Sequence, residues 1–189
     1  MQAVRDGDVG RLGILFERYH LPLFEFLSRM TGDRTAAEDL VQDIFVRVLK
    51  YRATYRDGGS FETWLFRIAR NARADYFRTR TPVEPLNDEA LERPETAPGP
   101  ARRLEVDRER ERLQRALTLL RDDTRELIVL ARYQDLKYEQ IAEIFGIEVG
   151  AVKVRMHRAV RELREIFLQL RDEHSSCDVT TSRRTFQII

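Results

Sequence analysis

The 189-residue chain has a single cysteine, Cys177, and no apolar run of the roughly 20 residues that a membrane-spanning helix needs. One cysteine excludes an internal disulfide framework and a cysteine-rich zinc site, and it favours a reducing compartment. Residues 1–6 lack the apolar core of a signal peptide. We therefore expect a cytoplasmic protein that is neither exported nor inserted in a membrane.

Catalytic signatures are also missing. The histidines His20, His157 and His174 are scattered, and neither a phosphate-binding glycine loop nor a metal-ligand cluster has workable spacing. These absences argue against an enzyme, and we expect neither a cofactor nor a metal. The formal net charge is only +1, so any electrostatic attraction to nucleic acid has to come from local clusters of basic residues.

Strand signals do not extend beyond a few residues, whereas apolar residues recur at helical spacing through most of the chain. That period is absent from 81–102, where prolines and acidic residues indicate an extended linker. We predict an all-α protein with two small helical domains, 1–80 and 103–172, joined by this acidic, proline-rich linker. The polar composition of 173–189 predicts a disordered tail.

Local signals predict where several helices begin. Thr35 and Glu38 have the spacing of a capping box, in which a hydroxyl and a carboxylate satisfy free amides at a helix start. Asp123 and Glu126 have the same spacing before a later apolar stripe. Pro22 either begins a helix or kinks a longer one.

Residues 138–147 form a short amphipathic pattern closed by Gly146, and a longer helical pattern follows from about Val149. Ala142 is small enough for a second helix to approach, and Gly146 can adopt the left-handed conformation of a tight turn. This pattern indicates a helix-turn-helix, whose second helix enters the major groove of DNA. The residues predicted to contact duplex DNA are Ala151, Lys153, Val154, Arg155, Arg158 and Arg161.

The alternative for this basic helix is a solvated face. Arg158–Glu162 and Arg161–Glu165 would then be ordinary ion pairs one turn apart, each stabilising the helix by roughly a few tenths of a kcal/mol. The DNA-binding interpretation is favoured because the basic residues cluster on the helix that the motif directs into the groove.

A second basic and aromatic concentration spans 51–80, a mixture that suits single-stranded nucleic acid. Phe61 and Trp64 occupy core positions of the helical pattern, which favours packing over base stacking. Asn71 and Asp75 lie one turn apart on a polar face, where they either bond the edge of a flipped base or are simply solvated.

These motifs have a family resemblance. Residues 37–45 and 61–71, with Asp75, resemble the N-terminal domain of the extracytoplasmic-function sigma factors, and 138–163 is similar to their second domain. The resemblance extends from about Leu12 to Leu168, with both halves in the family's order and a variable linker between them.

The resemblance implies a transcription initiation factor whose partners are core RNA polymerase, promoter DNA and, as a family expectation, an anti-sigma factor. The residues implied to contact polymerase are Asp39, Gln42, Asp43 and Arg47. Those implied to hold the melted −10 strand are Arg56, Ser60, Arg67, Asn71, Asp75 and Arg78. The second domain would read −35 duplex DNA. The acidic linker would either thread toward the RNA exit path or serve as a plain tether.

Some residues depart from the family's pattern, and other functions compete. Glu148, Ala151 and Val154 replace small hydroxyl residues of the family's recognition helix, so the −35 preference is expected to differ. The leading alternative is an autonomous helix-turn-helix regulator that binds duplex operators as a dimer and does not need the N-terminal half. A third hypothesis is a decoy that binds polymerase or an anti-sigma protein without recognising DNA.

Overall fold

The computed structural model describes the backbone of residues 1–79 and 100–184, and the side chains of residues 1–78 and 108–171. Within these ranges the chain forms α-helices and two short 3-10 helices, Val9–Arg11 and Arg52–Thr54, and no strand. The all-α prediction is therefore confirmed. The α-helices are α1 (Gln2–Arg5), α2 (Leu12–Thr31), α3 (Arg34–Lys50), α4 (Phe61–Thr79), α5 (Pro100–Leu119), α6 (Asp122–Arg132), α7 (Tyr138–Phe145) and α8 (Val149–Arg184).

The first domain is built on α2, α3 and α4. Their apolar stripes meet in a core where Phe26, Ile44 and Leu65 are fully buried, and the rings of Phe26 and Phe66 pack edge to face with centroids 5.4 Å apart. Helical periodicity alone places these side chains on one face of each helix. The opposite faces of α3 and α4 remain available for partners.

The start of α3 differs from the prediction. Gly32 ends α2 at a φ of 67°, and the carboxylate of Asp33 accepts a hydrogen bond from the amide of Ala36 at 3.0 Å. Asp33 is therefore the cap, and the predicted capping box at Thr35 is wrong because Thr35 already lies inside the helix. Pro22 begins no new helix, since α2 runs continuously through it.

The second domain contains the predicted helix-turn-helix, formed by α7 and α8. Gly146 has a φ of 65°, and its amide and that of Ile147 both donate to the carbonyl oxygen of Ala142. The left-handed glycine closes α7 and lets the chain enter α8 directly. Val152 and Met156 on the first turns of α8 are buried, as the helical pattern predicts.

Two boundaries of this domain also depart from expectation. The capping box predicted at Asp123 is wrong, because α6 already begins at Asp122 and Glu126 is buried against the first domain. The backbone of α8 continues as helix to Arg184, into the tail predicted to be disordered, since no proline or glycine follows Gly150. Residues 80–99, which hold most of the predicted linker, and 185–189 lie outside the described residues.

The two domains pack against each other. Helix α6 contacts α2, and α7 contacts α4, so one apolar cluster extends through both domains. The Arg125 guanidinium donates to the carbonyl oxygens of Leu117 and Thr118 in its own domain, and to that of Met30 at 3.3 Å in the other. In the part of the chain that is described, no helix has the length and apolar character needed to cross a bilayer.

Candidate nucleic-acid and polymerase interfaces

The outer face of α3 carries the residues predicted to contact polymerase. Asp39 and Gln42 are exposed, whereas Asp43 and Arg47 are half-buried and paired, with Arg47 Nε 2.7 Å from Asp43 Oδ2. Val46, which the sequence pattern did not single out, is 62% exposed on the same stripe, one helical turn after Gln42. A large apolar residue in the middle of a polar face was the signal that could have identified it.

The outer face of α4 carries most of the residues predicted to hold the −10 strand. Arg67, Asn71 and Arg78 are exposed and Asp75 is half-buried, at intervals of three or four residues that place all of them on one face. Among the described residues, the side chains of Arg67 and Asn71 form no hydrogen bond or ion pair with one another or with a neighbour. Their side chains are therefore free to meet a ligand from solvent.

A salt bridge joins the two predicted sites. Arg47 Nη1 on α3 lies 2.7 Å from Asp75 Oδ2 on α4, and Arg78 Nη2 lies 2.8 Å from the other oxygen of the same carboxylate. The hydrogen bond from Arg47 holds the pKa of Asp75 below its ordinary value. Asp75 is thus held by neighbouring cations, which distinguishes it from Asn71 on the same face.

The loop between α3 and α4 carries the remaining −10 candidates, Arg56 and Ser60. Arg56 is exposed, whereas Ser60 Oγ accepts hydrogen bonds from the amide of Thr63 and, at 3.2 Å, from Gln140 Nε2 on α7. Trp64 is buried and packs its ring 5.6 Å from that of Tyr55. Packing, rather than base stacking, is therefore the role that the structure gives to Trp64.

The inner face of α4 carries basic residues that the second domain neutralises. Glu126 on α6 is fully buried, and its Oε2 lies 3.1 Å from Arg70 Nε and 3.5 Å from Arg73 Nη2. Arg73 also lies 3.1 Å from Asp122. Burial raises the pKa of Glu126, and the charges of Arg73 and Arg70 oppose that rise. These arginines are thus occupied by carboxylates of the other domain.

The basic residues at the start of α8 are arranged differently. Lys153, Arg155 and Arg158 are exposed, and none forms an ion pair within the described residues. Arg161 lies 3.7 Å from Glu165, whereas the other pair of the alternative, Arg158–Glu162, does not form among the described residues. Val154 is also exposed, and Ala151 is half-buried. The N-terminal part of α8 therefore presents unpaired cations around an apolar side chain.

Comparison with known proteins identifies the family to which this chain belongs. The model of Sigma-70 region 2 matches residues 15–82, and that of Sigma-70, region 4 matches residues 110–163. The RNA polymerase sigma factor CarQ of Myxococcus xanthus is 35% identical over 173 residues, which cover 90% of this chain and 97% of CarQ. The chain belongs to the extracytoplasmic-function (ECF) RNA polymerase sigma factors.

Other similar proteins agree with this family. The ECF RNA polymerase sigma factor SigX of Bacillus subtilis is 29% identical over 184 residues, which cover 91% of each chain. The structure of CnrH in complex with the cytosolic domain of CnrY superposes with a TM-score of 0.64 at 26% identity, covering 86% of this chain and 91% of that one. The sigma factor therefore directs RNA polymerase to promoters. An autonomous regulator is not favoured, because it would leave the region 2 match unexplained.

Proposed function

We propose that this sigma factor divides promoter recognition between its two domains, residues 1–80 and 103–172. The outer face of α3 docks on core RNA polymerase, the outer face of α4 with the preceding loop captures the melted −10 strand, and the start of α8 reads −35 duplex DNA. Both DNA contacts belong to one initiation event. The protein works in the cytoplasm.

One observation carries this proposal: each domain exposes a polar or basic stripe whose key side chains have no partner within the described residues. Arg67 and Asn71 form the stripe on α4, and Lys153, Arg155 and Arg158 form the stripe on α8. An exposed amide and cation suit the base edges and backbone of single-stranded DNA. Unpaired cations at the start of a helix-turn-helix recognition helix suit base edges and phosphates of a duplex.

We also infer how promoter melting is driven and what class of protein regulates this sigma factor. No nucleotide hydrolysis is needed, since binding energy from the captured strand drives promoter melting, and open complexes should form without added nucleotide. The similarity to CnrH, whose structure contains the cytosolic domain of CnrY, supports a regulatory protein partner for this sigma factor as well. An anti-sigma factor is the expected partner, and purification of the native protein with whatever binds it tests this expectation.

Permanganate footprinting tests the −10 assignment. A promoter is first selected by the wild-type protein, together with core polymerase, from a library randomised in both promoter elements. The wild-type holoenzyme should make thymines of the −10 strand reactive, whereas Asn71→Ala should reduce that reactivity severalfold because it removes a hydrogen bond to an extruded base. Arg115→Ala on α5, which truncates an exposed polar side chain of the second domain, is the control. Equal reactivity of the Asn71→Ala and Arg115→Ala holoenzymes would contradict the assignment.

The salt dependence of promoter binding tests the −35 assignment. For a holoenzyme with both Arg155→Ala and Arg158→Ala, the slope of log K against log salt should become shallower by about one for each phosphate that is no longer neutralised. Discrimination against a mutated −35 element should fall if either arginine reads a base. Arg164→Ala, an exposed arginine farther along α8, should change neither quantity. Unchanged slope and discrimination in the double variant would exclude these residues from DNA reading.

A further inference from the structure

Residues 2–11, which precede the region 2 match, contact the loop between α3 and α4. Arg5 Nη1 lies 2.8 Å from Asp57 Oδ1, and Gln2 Nε2 donates to the same oxygen at 3.0 Å. Arg5 also donates to the carbonyl oxygen of Tyr55 at 3.4 Å. A segment outside the matched region therefore contacts the loop at two points, the side chain of Asp57 and the backbone of Tyr55.

This segment is itself anchored. Val4 on α1 is only 1% exposed, and Met1 packs against the core. Gly7 reverses the chain at a φ of 116°, and the amide of Asp8 returns to the carbonyl oxygen of Ala3 at 2.9 Å. Because its apolar side is buried and its turn is hydrogen-bonded, the segment has a fixed position, and so has Arg5 within it.

The loop needs such support at its tip. Its base is held by the Tyr55 ring, which packs on Trp64, and by the hydrogen bond from Tyr55 Oη to the carbonyl oxygen of Gly59 at 2.9 Å. Between these residues lie Asp57 and Gly58, which has a φ of 83°. Within the described residues, the side chain of Asp57 has no partner outside the segment that contains Gln2 and Arg5.

The contact between Arg5 and Asp57 also affects the charge next to Arg56. The hydrogen bond from Arg5 holds the pKa of Asp57 below its ordinary value, and the guanidinium offsets the negative charge of this carboxylate. An unpaired carboxylate beside Arg56 would repel a phosphate backbone and compete for the arginine side chain. With Asp57 occupied by Arg5, Arg56 stays exposed and forms no ion pair among the described residues.

We propose that Arg5 and Gln2 are positioning residues for −10 recognition: through Asp57 they fix the loop that presents Arg56 and Ser60, and keep its carboxylate away from the DNA strand. This inference rests on the proposed function, because it assigns the loop to the −10 strand. It adds a specificity determinant from a segment that precedes the residues matched to region 2.

The experiment measures −10 discrimination by the full-length protein with core polymerase. Open-complex formation is compared on the selected promoter, on single-base variants of its −10 element, and on variants of its −35 element. Arg5→Ala should lower −10 discrimination by about threefold to fivefold, in keeping with the modest effect of an exposed ion pair, and leave −35 discrimination unchanged. Arg11→Ala, which removes an exposed arginine whose ion pair among the described residues is with nearby Asp8, is the matched control and should leave both at the wild-type level.

A double-mutant cycle distinguishes positioning from general stabilisation. If Arg5 acts through Asp57, then adding Arg5→Ala to an Asp57→Ala protein should cause no further loss, and the double variant should discriminate like Asp57→Ala alone. Additive reductions, or Arg5→Ala discrimination equal to that of Arg11→Ala, would overturn the inference. A wild-type holoenzyme that shows no −10 discrimination would instead refute the proposed function, so the two failures are distinguishable.

Discussion

Helices α4 and α8 are both rich in arginine, yet their arginines have different surroundings. On α4, Arg70 and Arg73 face the second domain, where Glu126 and Asp122 neutralise them. On α8, Arg155 and Arg158 face solvent without an ion pair in the described chain. Basic density along a helix therefore does not measure its free positive charge, because the carboxylates that neutralise it belong to other elements.

The two helices also differ in what fixes their position. Helix α8 follows a local device, the left-handed turn at Gly146, which acts over a few residues. Helix α4 is held by partners distant in the chain, since Arg47 reaches Asp75 from α3 and Glu126 reaches its inner face from α6. Helix α8 also packs on α5, α6 and α7 within its own domain, whereas α4 contacts α7 and is bridged to Glu126 of α6 across the two domains.

Replacing Glu126 with alanine should give the largest effect, because it attacks the contact that occupies the arginines of α4. Arg73 is only 6% exposed, and removing Glu126 leaves it with the solvent-exposed Asp122 as its counter-charge, at a cost of about 3 kcal/mol. We expect a lower urea midpoint of unfolding and a larger radius of gyration in small-angle X-ray scattering, since the domains separate more readily.

Glu111→Ala on α5 is the matched control, since it removes an exposed glutamate and should leave both quantities near the wild-type values. If the Glu126→Ala and Glu111→Ala proteins behave alike, the buried cluster does not hold the domains together. The difference between α4 and α8 would then be one of exposure alone.

The same contrast explains how far the sequence could be interpreted. The helix-turn-helix was predictable because its signals are local: a small residue at 142, a glycine at 146 and a helical period on either side. The free cations of α8 followed from the same pattern. At the start of α3, by contrast, Asp33 and Thr35 are both good caps, and only the end of α2 at Gly32 selects Asp33.

The contacts that the sequence did not predict join residues that lie far apart in the chain. Glu126 has the spacing of a capping box, but its partner Arg70 is 56 residues away and draws it into the interface. Arg47 and Asp75 were assigned to separate sites, although they form a single salt bridge. Such pairs follow from the way helices pack, since periodicity indicates which face of a helix is buried but not which other helix that face meets.

A smaller effect is expected from Gly146→Ala, which tests whether the position of α8 depends on its local turn. No atom lies within 4 Å of an added Cβ, so the cost is that of a left-handed backbone, about 1–2 kcal/mol. The free energy of unfolding of the second domain should fall by this amount in urea titrations. Gly150→Ala is the control of opposite sign, because that glycine lies in a helix with open space around it and alanine favours helix. Similar changes in both variants would show that the turn conformation does not matter.

The smallest effect concerns the salt bridge at Asp75, which tests whether α4 is held by its neighbours. Arg47 is the main cause of the lowered pKa of Asp75, and exposed Arg78 contributes less. Arg47→Ala should therefore return the pKa of Asp75 toward its ordinary value of about 3.9, whereas Arg78→Ala should change it less, as measured by NMR titration of the side-chain carboxyl. Because the pKa of Asp75 is lowered in the folded protein, its pairing with Arg47 stabilises the wild-type protein at pH values above the ordinary pKa. This contribution disappears as the pH falls through the folded pKa. If Arg78→Ala shifts the pKa of Asp75 more than Arg47→Ala does, the carboxylate is held by a residue of α4 itself. The salt bridge would then no longer support the view that α4, unlike the start of α8, is held by residues distant in the chain.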